Sequence, residues 1–336
     1  MNKQSAYKFL VIADTYETIE SKYGIKSLKN NDHYSQSNIA TIVNTINLIG
    51  YNCEHFGGIH DLVNYYNRKH YASNDLFLNF SDGLIEKNRR AQAPILLEMI
   101  NDKYLGSDPS TILLVSDKHI ANVYASTDPF IKTPKSIFLY KNTCFDKIIF
   151  DLNFPVIIKP NNEGSSAGIA KTNFCQDIIA LKTEFNSLIS RFDELVVEEY
   201  IAGEEITVFV IGNGKKINVF PLLISINGKT KYTDEIMDWE VKHNTSRTYF
   251  NPLKFLSEEI VEKVKVVAER LFNHFRMRDI ARFDLRINEG EVFFIEANTV
   301  PNIAKEYDAG EACRIYNWEY KDFIDLIIQS FLERID

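Results

Sequence analysis

The feature that most constrains the fold is the regular alternation of strand and helix patterns over the first hundred residues. The apolar run "YKFLVIA" is followed by Asn38 to Ile49, in which Ile39, Ile42, Val43, Ile46 and Ile49 share one helical face before Gly50. The patterns "YNCEHF", "DLFLNF" and "AQAPILLEMI" then predict strand, strand and helix. Because strands separated by helices pair in parallel, we expect a doubly wound α/β domain.

The rest of the chain mixes strands and helices without that alternation, which is typical of α+β domains. The segments "TPKSIFLY" and "FPVIIKP" predict strands, whereas "TILLVSDKHIANVYA" and "QDIIALKTEFNSLIS" predict helices. Three further segments, "ELVVEEYI", "EEITVFVIG" and "INVFPLLIS", predict antiparallel strands. A long helix is expected after its N-cap Ser257, and a hairpin and an amphipathic helix follow it.

Size, charge and cysteine usage exclude several classes of protein. A chain of 336 residues exceeds the size of a single core, so two or three domains are expected. The net charge of -8 argues against a nucleic-acid partner. The four cysteines are scattered, which favours reduced thiols in a cytoplasmic protein over zinc ligands: Cys53, Cys144, Cys175 and Cys313. The apolar run near the N-terminus is too short to be a membrane span.

A glycine- and serine-rich loop follows a predicted strand in "FPVIIKPNNEGSSAGIAK". Lys159 ends the strand, so the loop offers a cation and accessible backbone N–H groups, which suit phosphate oxygens. The lysine precedes the glycines, so the segment is not a Walker P-loop. The alternative is an exposed turn with a solvated lysine, and the loop alone does not separate the two.

A predicted hairpin, "ARFDLRINEGEVFFIEANTVPN", carries two acidic side chains toward each other. Alternation places Arg282, Asp284 and Arg286 on one face of the first arm, and Phe294, Glu296 and Asn298 on one face of the second. With an odd loop centred on Gly290, Asp284 lies opposite Glu296, and this pair requires a compensating positive charge.

Two sources of that positive charge are open. Asp284, Glu296 and Asn298 offer the hard oxygen ligands that Mg²⁺ prefers when it is shared with substrate phosphates. The alternative is an ion-pair ladder in which Arg282 and Arg286 neutralise the acids.

The segment "VVEEYIAGEEITV" supplies further polar groups beside an apolar strand. Glu198, Glu199, Tyr200 and Glu205 are placed to line a nucleotide slot, with strand-edge backbone groups for a base and a carboxylate for ribose hydroxyls. Taken alone, the segment is more typical of an amphipathic hairpin.

In this order, the three segments resemble the ATP-grasp superfamily and most closely the D-alanine–D-alanine ligase family, with "SDKHIANVYA" as an upstream helix. The motifs cover roughly residues 105 to 305. The resemblance implies α/β and α+β architecture with an ATP-grasp fold: an N-terminal doubly wound domain followed by two α+β domains that clasp ATP. The expected boundaries are residues 1–115, 116–204 and 205–336.

The resemblance also implies where ATP binds. Lys118 and Lys159 would contact the α- and β-phosphates, and the loop from Ser165 to Gly168 would cover the β- and γ-phosphates. Glu198 and the Ile201 backbone would hold adenine, and Glu205 the ribose. The remaining nucleotide contacts expected from the motifs are Glu163, Ser165, Ser166, Glu199, Tyr200 and Lys242. Of these, Lys242 would reach the γ-phosphate.

The implied chemistry is amide formation through an acyl phosphate with release of ADP and phosphate. Asp284, Glu296 and Asn298 would hold two Mg²⁺ ions, for which Mn²⁺ can substitute. Arg282 would stabilise an oxyanion, with Lys242 and Ser165 as further catalytic residues. The expected partners are small amino-acid substrates, and because family members are often dimers, the resemblance implies a homodimer without nucleic acid or membrane.

The chain departs from the family where substrates bind. The family's N-terminal glycine-rich loop has no clear equivalent, although Glu17 or Glu20 is a candidate replacement, and its His-Gly becomes "NFSDG". His243 follows the loop lysine, where a tyrosine is expected. One interpretation is that the second substrate carries a hydroxyl in place of an amine, because relatives that form depsipeptides are known for a histidine in this loop. The other is a solvated surface side chain. Asn302 replaces a glycine, and Tyr307-Asp308 stands where a Ser-Leu pair is expected.

These departures predict substrates altered from D-alanine. The alternatives are a D-alanine–D-alanine or D-alanine–hydroxy acid ligase proper, a kinase-like phosphotransferase, and a nucleotide-binding module without turnover.

Overall fold

The computed structural model describes most of the chain, in seven segments: residues 7–23, 33–68, 75–84, 87–148, 151–164, 168–234 and 247–335. Within these segments the chain forms three β-sheets that are covered by helices. No helix in the described segments has the length and hydrophobicity needed to cross a membrane.

The first sheet is parallel, as the strand–helix alternation predicted. Its order is β2–β1–β3–β4, with β1 (Lys8–Ile12), β2 (Asn52–Gly57), β3 (Asp75–Asn79) and β4 (Lys103–Leu105). Its helices are α1 (Tyr16–Tyr23), α2 (Gln36–Ile49), α3 (Ile59–Arg68) and α4 (Gln92–Met99). Ser35 caps α2 through a capping box, and Gly50 ends it at φ 109°, a left-handed conformation that glycine adopts without strain.

The second sheet is antiparallel and is called the central sheet below. Its order is β5–β8–β6–β7, with β5 (Ser136–Tyr140), β6 (Val156–Pro160), β7 (Phe174–Cys175) and β8 (Glu194–Glu199). Its neighbouring helices are α5 (Pro109–Ser116), α6 (Lys118–Ala125) and α7 (Ile178–Ile189). The predicted helix "TILLVSDKHIANVYA" is two helices, because Asp117 adopts an extended conformation and caps α6 through the Ile120 N–H.

The third sheet has six strands, and its central path is β12–β10–β9–β13–β14. The strands are β9 (Gly203–Asn213), β10 (Lys216–Ile226), β11 (Lys231–Tyr232), which pairs with β9, β12 (Arg247–Phe250), β13 (Asp279–Asn288) and β14 (Glu291–Asn298). The helices are α8 (Glu258–His274), which begins after Ser257 as predicted, α9 (Asp308–Tyr316) and α10 (Tyr320–Ile335).

The three predicted strands β8, β9 and β10 are all antiparallel to their neighbours, but β8 belongs to a different sheet from the other two. This strand lies between β5 and β6 in the central sheet, whereas β9 pairs with β10, β11 and β13 in the third. The segment from Leu195 to Glu198 is buried without interruption, as expected for an interior strand, so it does not form a half-exposed hairpin arm. Tyr200, Ile201 and Ala202 therefore carry the chain from one sheet to the other.

The β13–β14 hairpin places Asp284 directly opposite Glu296, as predicted, but by a different route. Its loop has two residues, Glu289 and Gly290, both with positive φ, so the predicted odd loop is wrong. A β-bulge between Asp284 and Leu285 shifts the register by one residue and restores the opposition. Because of the bulge, Phe294 lies in the core, so the prediction that it shares a face with Glu296 is wrong.

Four hydrophobic clusters surround the sheets in the described segments, and the smallest packs the first sheet against α3 and α4. One fills the space between α8, the third sheet and α6, and another lies under the central sheet. A third joins the first sheet and α2 to β9, β10 and α10. The C-terminal helix therefore packs against the N-terminal part of the chain as well as against the third sheet. The domain boundaries at residues 115 and 204 stay a prediction.

A buried carboxylate joins these same elements. Asp279, at the start of β13, is fully buried and accepts hydrogen bonds from the Gly106 N–H at 2.8 Å and from Asn213 Nδ2 at 3.0 Å. Arg334 of α10 donates to both of its oxygens, at 2.8 and 2.7 Å, and also to the Tyr104 carbonyl of β4. One ion pair thus connects the first sheet, the third sheet and the C-terminal helix.

We predict that Asp279→Asn lowers the free energy of unfolding by about 3 kcal/mol, because it leaves the Arg334 guanidinium without its charge partner in a buried setting. Urea unfolding followed by circular dichroism measures the change. The matched control is Glu333→Gln on the same helix, whose exposed ion pair with Lys216 is worth less than about 1 kcal/mol. Equal unfolding midpoints for the two variants would contradict the prediction.

Candidate active site

A cavity of about 170 Å³ lies between the central sheet and the third sheet. Its walls come from β6 and β8 on one side and from β9, β13 and β14 on the other. All of the predicted site residues that the structure describes line it: Lys118, Lys159, Glu163, Glu198, Glu199, Tyr200, Ile201, Glu205, Arg282, Asp284, Glu296 and Asn298. The fold therefore brings residues from four separate sequence motifs to one place.

Four residues singled out in the sequence cannot be placed around the cavity. Ser165, Ser166, Lys242 and His243 lie outside the described residues. The roles predicted for Ser165, Ser166 and Lys242 remain predictions from the sequence.

Two buried side chains form an ion pair on the wall from the central sheet. Lys159 of β6 and Glu198 of β8 are 2.7 Å apart between Nζ and Oε2, and each side chain is less than 10% exposed. They lie on neighbouring antiparallel strands, so the sheet itself brings them together. Lys159 thus presents a cation to the cavity while Glu198 balances its charge, and the adenine contact of Glu198 stays a prediction.

The crossover between the sheets forms one end of the cavity. Arg286 of β13 donates to Glu205 Oε2 at 2.8 Å, and to the Tyr200 hydroxyl and the Ile201 carbonyl at 3.3 Å each. Its guanidinium also lies over the rings of Tyr200 and Tyr232. Burial alone would lower the pKa of Arg286, but the Glu205 charge and the two tyrosines outweigh it, so its pKa is raised and the side chain stays charged.

Two predicted nucleotide contacts have partners elsewhere on the rim. Glu199 accepts hydrogen bonds from the Asn153 backbone at 2.8 Å and from its side chain at 2.9 Å. The Glu163 carboxylate lies 4.0 Å from Arg89, and its backbone carbonyl accepts a hydrogen bond from Lys118 Nζ. The Glu163 segment therefore contacts both α6 and the short segment just before α4.

The position of Lys118 follows from its helix. It is the first residue of α6, directly after the N-cap Asp117, and its backbone N–H donates to the Asn161 carbonyl. Its buried Nζ lies 3.3 Å from Glu296 Oε1. A cation from the segment before the central sheet thus reaches a carboxylate on the third sheet.

Arg282 is held between two carboxylates at the opposite end of the cavity. Its Nη2 donates to Asp284 at 3.1 Å and its Nη1 to Asp308 at 3.0 Å. Asp308, buried at the start of α9, also accepts hydrogen bonds from Arg247 Nη2 at 2.9 Å and from the Tyr249 hydroxyl. Burial and then the Asp308 charge raise the pKa of Tyr249 far above its usual value, so its hydroxyl stays protonated.

Basic side chains compensate the opposed carboxylates of Asp284 and Glu296. Lys118 lies against Glu296, and Arg282 against Asp284, which also accepts a hydrogen bond from Thr207 Oγ1 at 2.7 Å. The ion-pair ladder is therefore present for Arg282, but Arg286 pairs with Glu205 instead.

The same side chains also suit a magnesium ion. The buried Asn298 Nδ2 has no hydrogen-bond partner among the described residues, so this donor can bind a phosphate oxygen, whereas Oδ1 of the same amide is the atom that would bind a cation. The described residues contain no group of three or more His, Cys, Asp or Glu side chains that could hold a metal. Two carboxylates and one amide leave coordination positions for phosphate oxygens and water, as magnesium requires.

A second, smaller cavity of about 30 Å³ adjoins this end. It shares Lys118, Arg282, Glu296 and Asn298 with the first cavity and adds Arg90, which lies just before α4. Arg90 Nε donates to the buried Asp82 at 2.5 Å, and Arg89 Nε donates to the other oxygen of that carboxylate at 2.9 Å. Asp82 belongs to "NFSDG", the segment that stands in place of the family's His-Gly, and its carboxylate binds two arginines.

Sequence reasoning missed several residues that line these cavities. Arg247 and Arg90 are isolated in sequence and belong to no motif, so only the fold brings them to the site. Tyr249 reaches the site indirectly, because its hydroxyl donates to Asp308 in the wall of the larger cavity. The ion-pair alternative paired Arg286 with the hairpin acids, whereas the β9–β13 register places it opposite Glu205. Asp308 was noted only as a departure from the family.

Comparisons with known proteins agree with this arrangement. A family model described as "D-ala D-ala ligase C-terminus" matches residues 126–329. D-alanine–D-alanine ligase of Petrotoga mobilis is 28% identical over 247 residues, which are 72% of this chain and 76% of that protein. The enzyme of the same name from Fervidobacterium nodosum is 26% identical over 276 residues, or 78% of this chain and 83% of that one.

Two solved structures share the fold over nearly the whole chain. D-alanine–D-alanine ligase from Bacillus anthracis, complexed with ATP, has a TM-score of 0.71 at 20% identity and covers 97% of each chain. VanG D-Ala:D-Ser ligase from Enterococcus faecalis has a TM-score of 0.73 at 17% identity and covers 98% of this chain and 100% of that one. At these identities the likeness concerns the fold.

We predict strong coupling between Lys159 and Glu198. Lys159→Met and Glu198→Met should each lower the free energy of unfolding by about 3–5 kcal/mol, since each leaves a buried charge without its partner. The double variant should be more stable than either single variant. Thermal and urea unfolding of all four proteins closes the double-mutant cycle.

The control cycle uses the exposed pair Lys141 and Asp193, which lie next to the ends of β5 and β8 in the central sheet. For this pair, coupling below about 1 kcal/mol is expected. Additive effects at Lys159 and Glu198 would show that their contact carries no net interaction.

Proposed function

The chain belongs to the D-alanine–D-alanine ligase family, and we propose that it is an ATP-dependent ligase that joins a carboxylate to an amine through an acyl phosphate. One geometric feature supports this proposal most directly. Two opposed carboxylates and the cations Lys118 and Arg282 meet at one cavity between two sheets, where a triphosphate and a metal would balance the charges.

The proposed nucleotide position follows the length of this cavity. The nucleobase and ribose lie at the crossover end, against Tyr200, Ile201 and Glu205, with Glu198 and Glu199 on the same rim. Lys118 and Lys159 contact the phosphates, as does the segment of Glu163, Ser165 and Ser166. Both lysines are buried and line the cavity, so their ammonium groups lie close to the place proposed for the phosphates.

Mg²⁺ is proposed to bind Asp284, Glu296 and Asn298. When bound, it supplies positive charge to the phosphoryl group during transfer. Lys118 would then pass from Glu296 to the phosphates, since the metal replaces it as the partner of that carboxylate. We propose two such ions, and Mn²⁺ as a substitute.

The proposed reaction has two steps. An oxygen of the donor carboxylate attacks the γ-phosphorus; a new O–P bond forms, the bond to the β–γ bridging oxygen breaks, and ADP leaves with that electron pair. The neutral amine of the acceptor then attacks the carbonyl carbon. The new C–N bond forms, phosphate leaves with the electron pair of the C–O bond, and the proton released by the nitrogen ends on that phosphate.

Arg282 is proposed to stabilise the oxyanion that forms during the second step. Its two Nη atoms are bonded to Asp284 and Asp308, which fixes the plane of the guanidinium before substrate arrives. Lys242 is proposed, from the family motif, to contact the γ-phosphate, and Ser165 to assist it.

The substrates are proposed to be amino acids or related molecules that differ from the D-alanine pair. Asp82 and Asp308 both stand at departures from the family. Asp308 lines the larger cavity, and Asp82 accepts a hydrogen bond from Arg90, which lines the smaller one. We further propose a cytoplasmic homodimer without a nucleic-acid partner, on the basis of the family and of the net charge of -8.

A phosphate-release screen tests the proposed function. Purified protein, ATP and Mg²⁺ are combined with pairs drawn from D- and L-alanine, serine, diamines and hydroxy acids, and products are identified by mass. We expect phosphate release that requires both substrates and a condensed product. ADP formation with a stable phosphorylated substrate would contradict the ligase assignment.

We predict that Glu296→Gln lowers kcat by at least about 100-fold while the melting temperature stays within a few degrees, because a neutral amide binds the metal more weakly than a carboxylate. Steady-state phosphate release measures kcat. Glu291→Gln on the same strand is the control, since Glu291 pairs with Lys132 and Lys263 away from the cavity. Turnover close to wild type in Glu296→Gln would refute the metal assignment.

A further inference from the structure

Arg286 is a buried cation to which the proposed reaction gives no role. It lines the crossover end of the larger cavity, where the nucleobase and ribose are proposed to lie, and it is only 7% exposed. A buried arginine is costly unless its charge is balanced and its N–H groups find acceptors. The acceptors of Arg286 therefore indicate what it does at this end of the cavity.

The Arg286 guanidinium connects two groups that are proposed to hold the nucleoside. Nη2 donates to Glu205 Oε2 at 2.8 Å, and Nη1 donates to the Ile201 carbonyl at 3.3 Å. Glu205 belongs to β9, whereas Ile201 lies in the crossover that follows β8. Because the guanidinium is planar and rigid, these two bonds set the orientation of the Glu205 carboxylate relative to the crossover backbone.

The third sheet and two aromatic rings hold Arg286 in place. Arg286 of β13 stands directly opposite Glu205 of β9 in the antiparallel register. The guanidinium carbon lies 5.4 Å from the ring centre of Tyr200 and 5.2 Å from that of Tyr232, and both contacts favour the charged side chain. The pair thus stands on two strands, which position side chains more precisely than loops do.

The ion pair also makes Glu205 compatible with a nucleotide. An uncompensated carboxylate in this mostly buried position would repel the phosphates of any nucleotide in the same cavity. Arg286 balances that charge through Oε2, and the other oxygen, Oε1, is the atom to which a ribose hydroxyl would donate. A hydrogen bond to an ionised carboxylate is stronger than one between neutral groups, so it can select for the hydroxyl.

We propose that Arg286 is a positioning residue that, by orienting Glu205, makes nucleotide binding depend on the ribose hydroxyls. This inference rests on the proposed function and deepens it, because it assigns the selection of ribonucleotides over deoxyribonucleotides to one pair of residues. If the ion pair instead only joins β9 to β13, changing it will weaken the binding of ribonucleotides and deoxyribonucleotides alike.

The experiment measures nucleotide affinity by isothermal titration calorimetry in the presence of Mg²⁺. The three probes are ADP, 2′-deoxy-ADP and 3′-deoxy-ADP, which differ by one hydroxyl and are not consumed, since ADP is a product of the proposed reaction. The measured quantity is the ratio of the Kd of each deoxynucleotide to the Kd of ADP. Because each ratio compares two ligands of one protein, a general loss of affinity cancels.

In the wild type, we expect a ratio of at least about tenfold for one or both deoxynucleotides, as for the loss of a hydrogen bond to a charged group. Glu205→Gln should lower this ratio to about threefold or less, because a neutral amide accepts more weakly. Arg286→Lys should lower the wild-type ratio by at least about threefold, since one ammonium cannot hold both Glu205 and the Ile201 carbonyl as the guanidinium does. In the Glu205→Gln background, Arg286→Lys should change the ratio no further.

Arg278 provides a matched control on the same side of the chain's third sheet. Like Arg286, it donates to a backbone carbonyl and to a tyrosine hydroxyl, those of Gly106 and Tyr104, and its guanidinium lies over that tyrosine ring. It lines neither of the two cavities described above. Arg278→Lys should therefore keep the wild-type ratio.

The outcomes separate this inference from the proposed function. Binding of ADP with ratios near one in the wild type, or with a ratio that Arg286→Lys leaves unchanged, overturns the inference alone. Absence of ADP binding overturns the proposed function and the inference together. Should Arg286→Lys fail to fold, a crystal structure of the wild type with ADP and Mg²⁺ decides: Glu205 must contact a ribose hydroxyl while still bonded to Arg286, and the loss of either contact overturns the inference.

Discussion

The repulsion between Asp284 and Glu296 is the constraint around which the site is organised. These carboxylates face each other across the β13–β14 hairpin, and a pair of like charges at that position destabilises a hairpin unless positive charge is supplied. In the described structure Lys118 and Arg282 supply it, from a helix before the central sheet and from the hairpin itself. The acids therefore draw together parts of the chain that are far apart in sequence.

The crossover from β8 to β9 makes this arrangement possible. Because β8 lies inside the central sheet and β9 inside the third, the short connection at Tyr200 and Ile201 sets the two sheets against each other and leaves a cavity between them. Buried ion pairs occur on both walls, Lys159 with Glu198 and Arg286 with Glu205. Such pairs add little stability by themselves, but they hold charged groups in fixed positions, which suits a ligand of opposite charge.

Much of this could be predicted from the sequence, and the failures have physical causes. Periodicity identified the parallel first sheet and α2, because a buried face leaves its repeat in the sequence. The opposition of Asp284 and Glu296 was predicted with the wrong loop, since a β-bulge has no clear sequence signal here. The sheet membership of β8 depends on long-range pairing, which local alternation does not encode. Arg247 and Asp308 meet only in the fold, because their contact joins β12 to the start of α9.

A crystal structure of the protein with ADP and Mg²⁺ tests the central claim most directly. If the hairpin acids are a metal site between two sheets, Mg²⁺ will lie about 2.1 Å from oxygens of both Asp284 and Glu296, and it will also contact a phosphate oxygen. Lys118 will then have moved from Glu296 toward the nucleotide. A nucleotide bound away from the hairpin, with Asp284 and Glu296 still paired only to Arg282 and Lys118, would contradict the account.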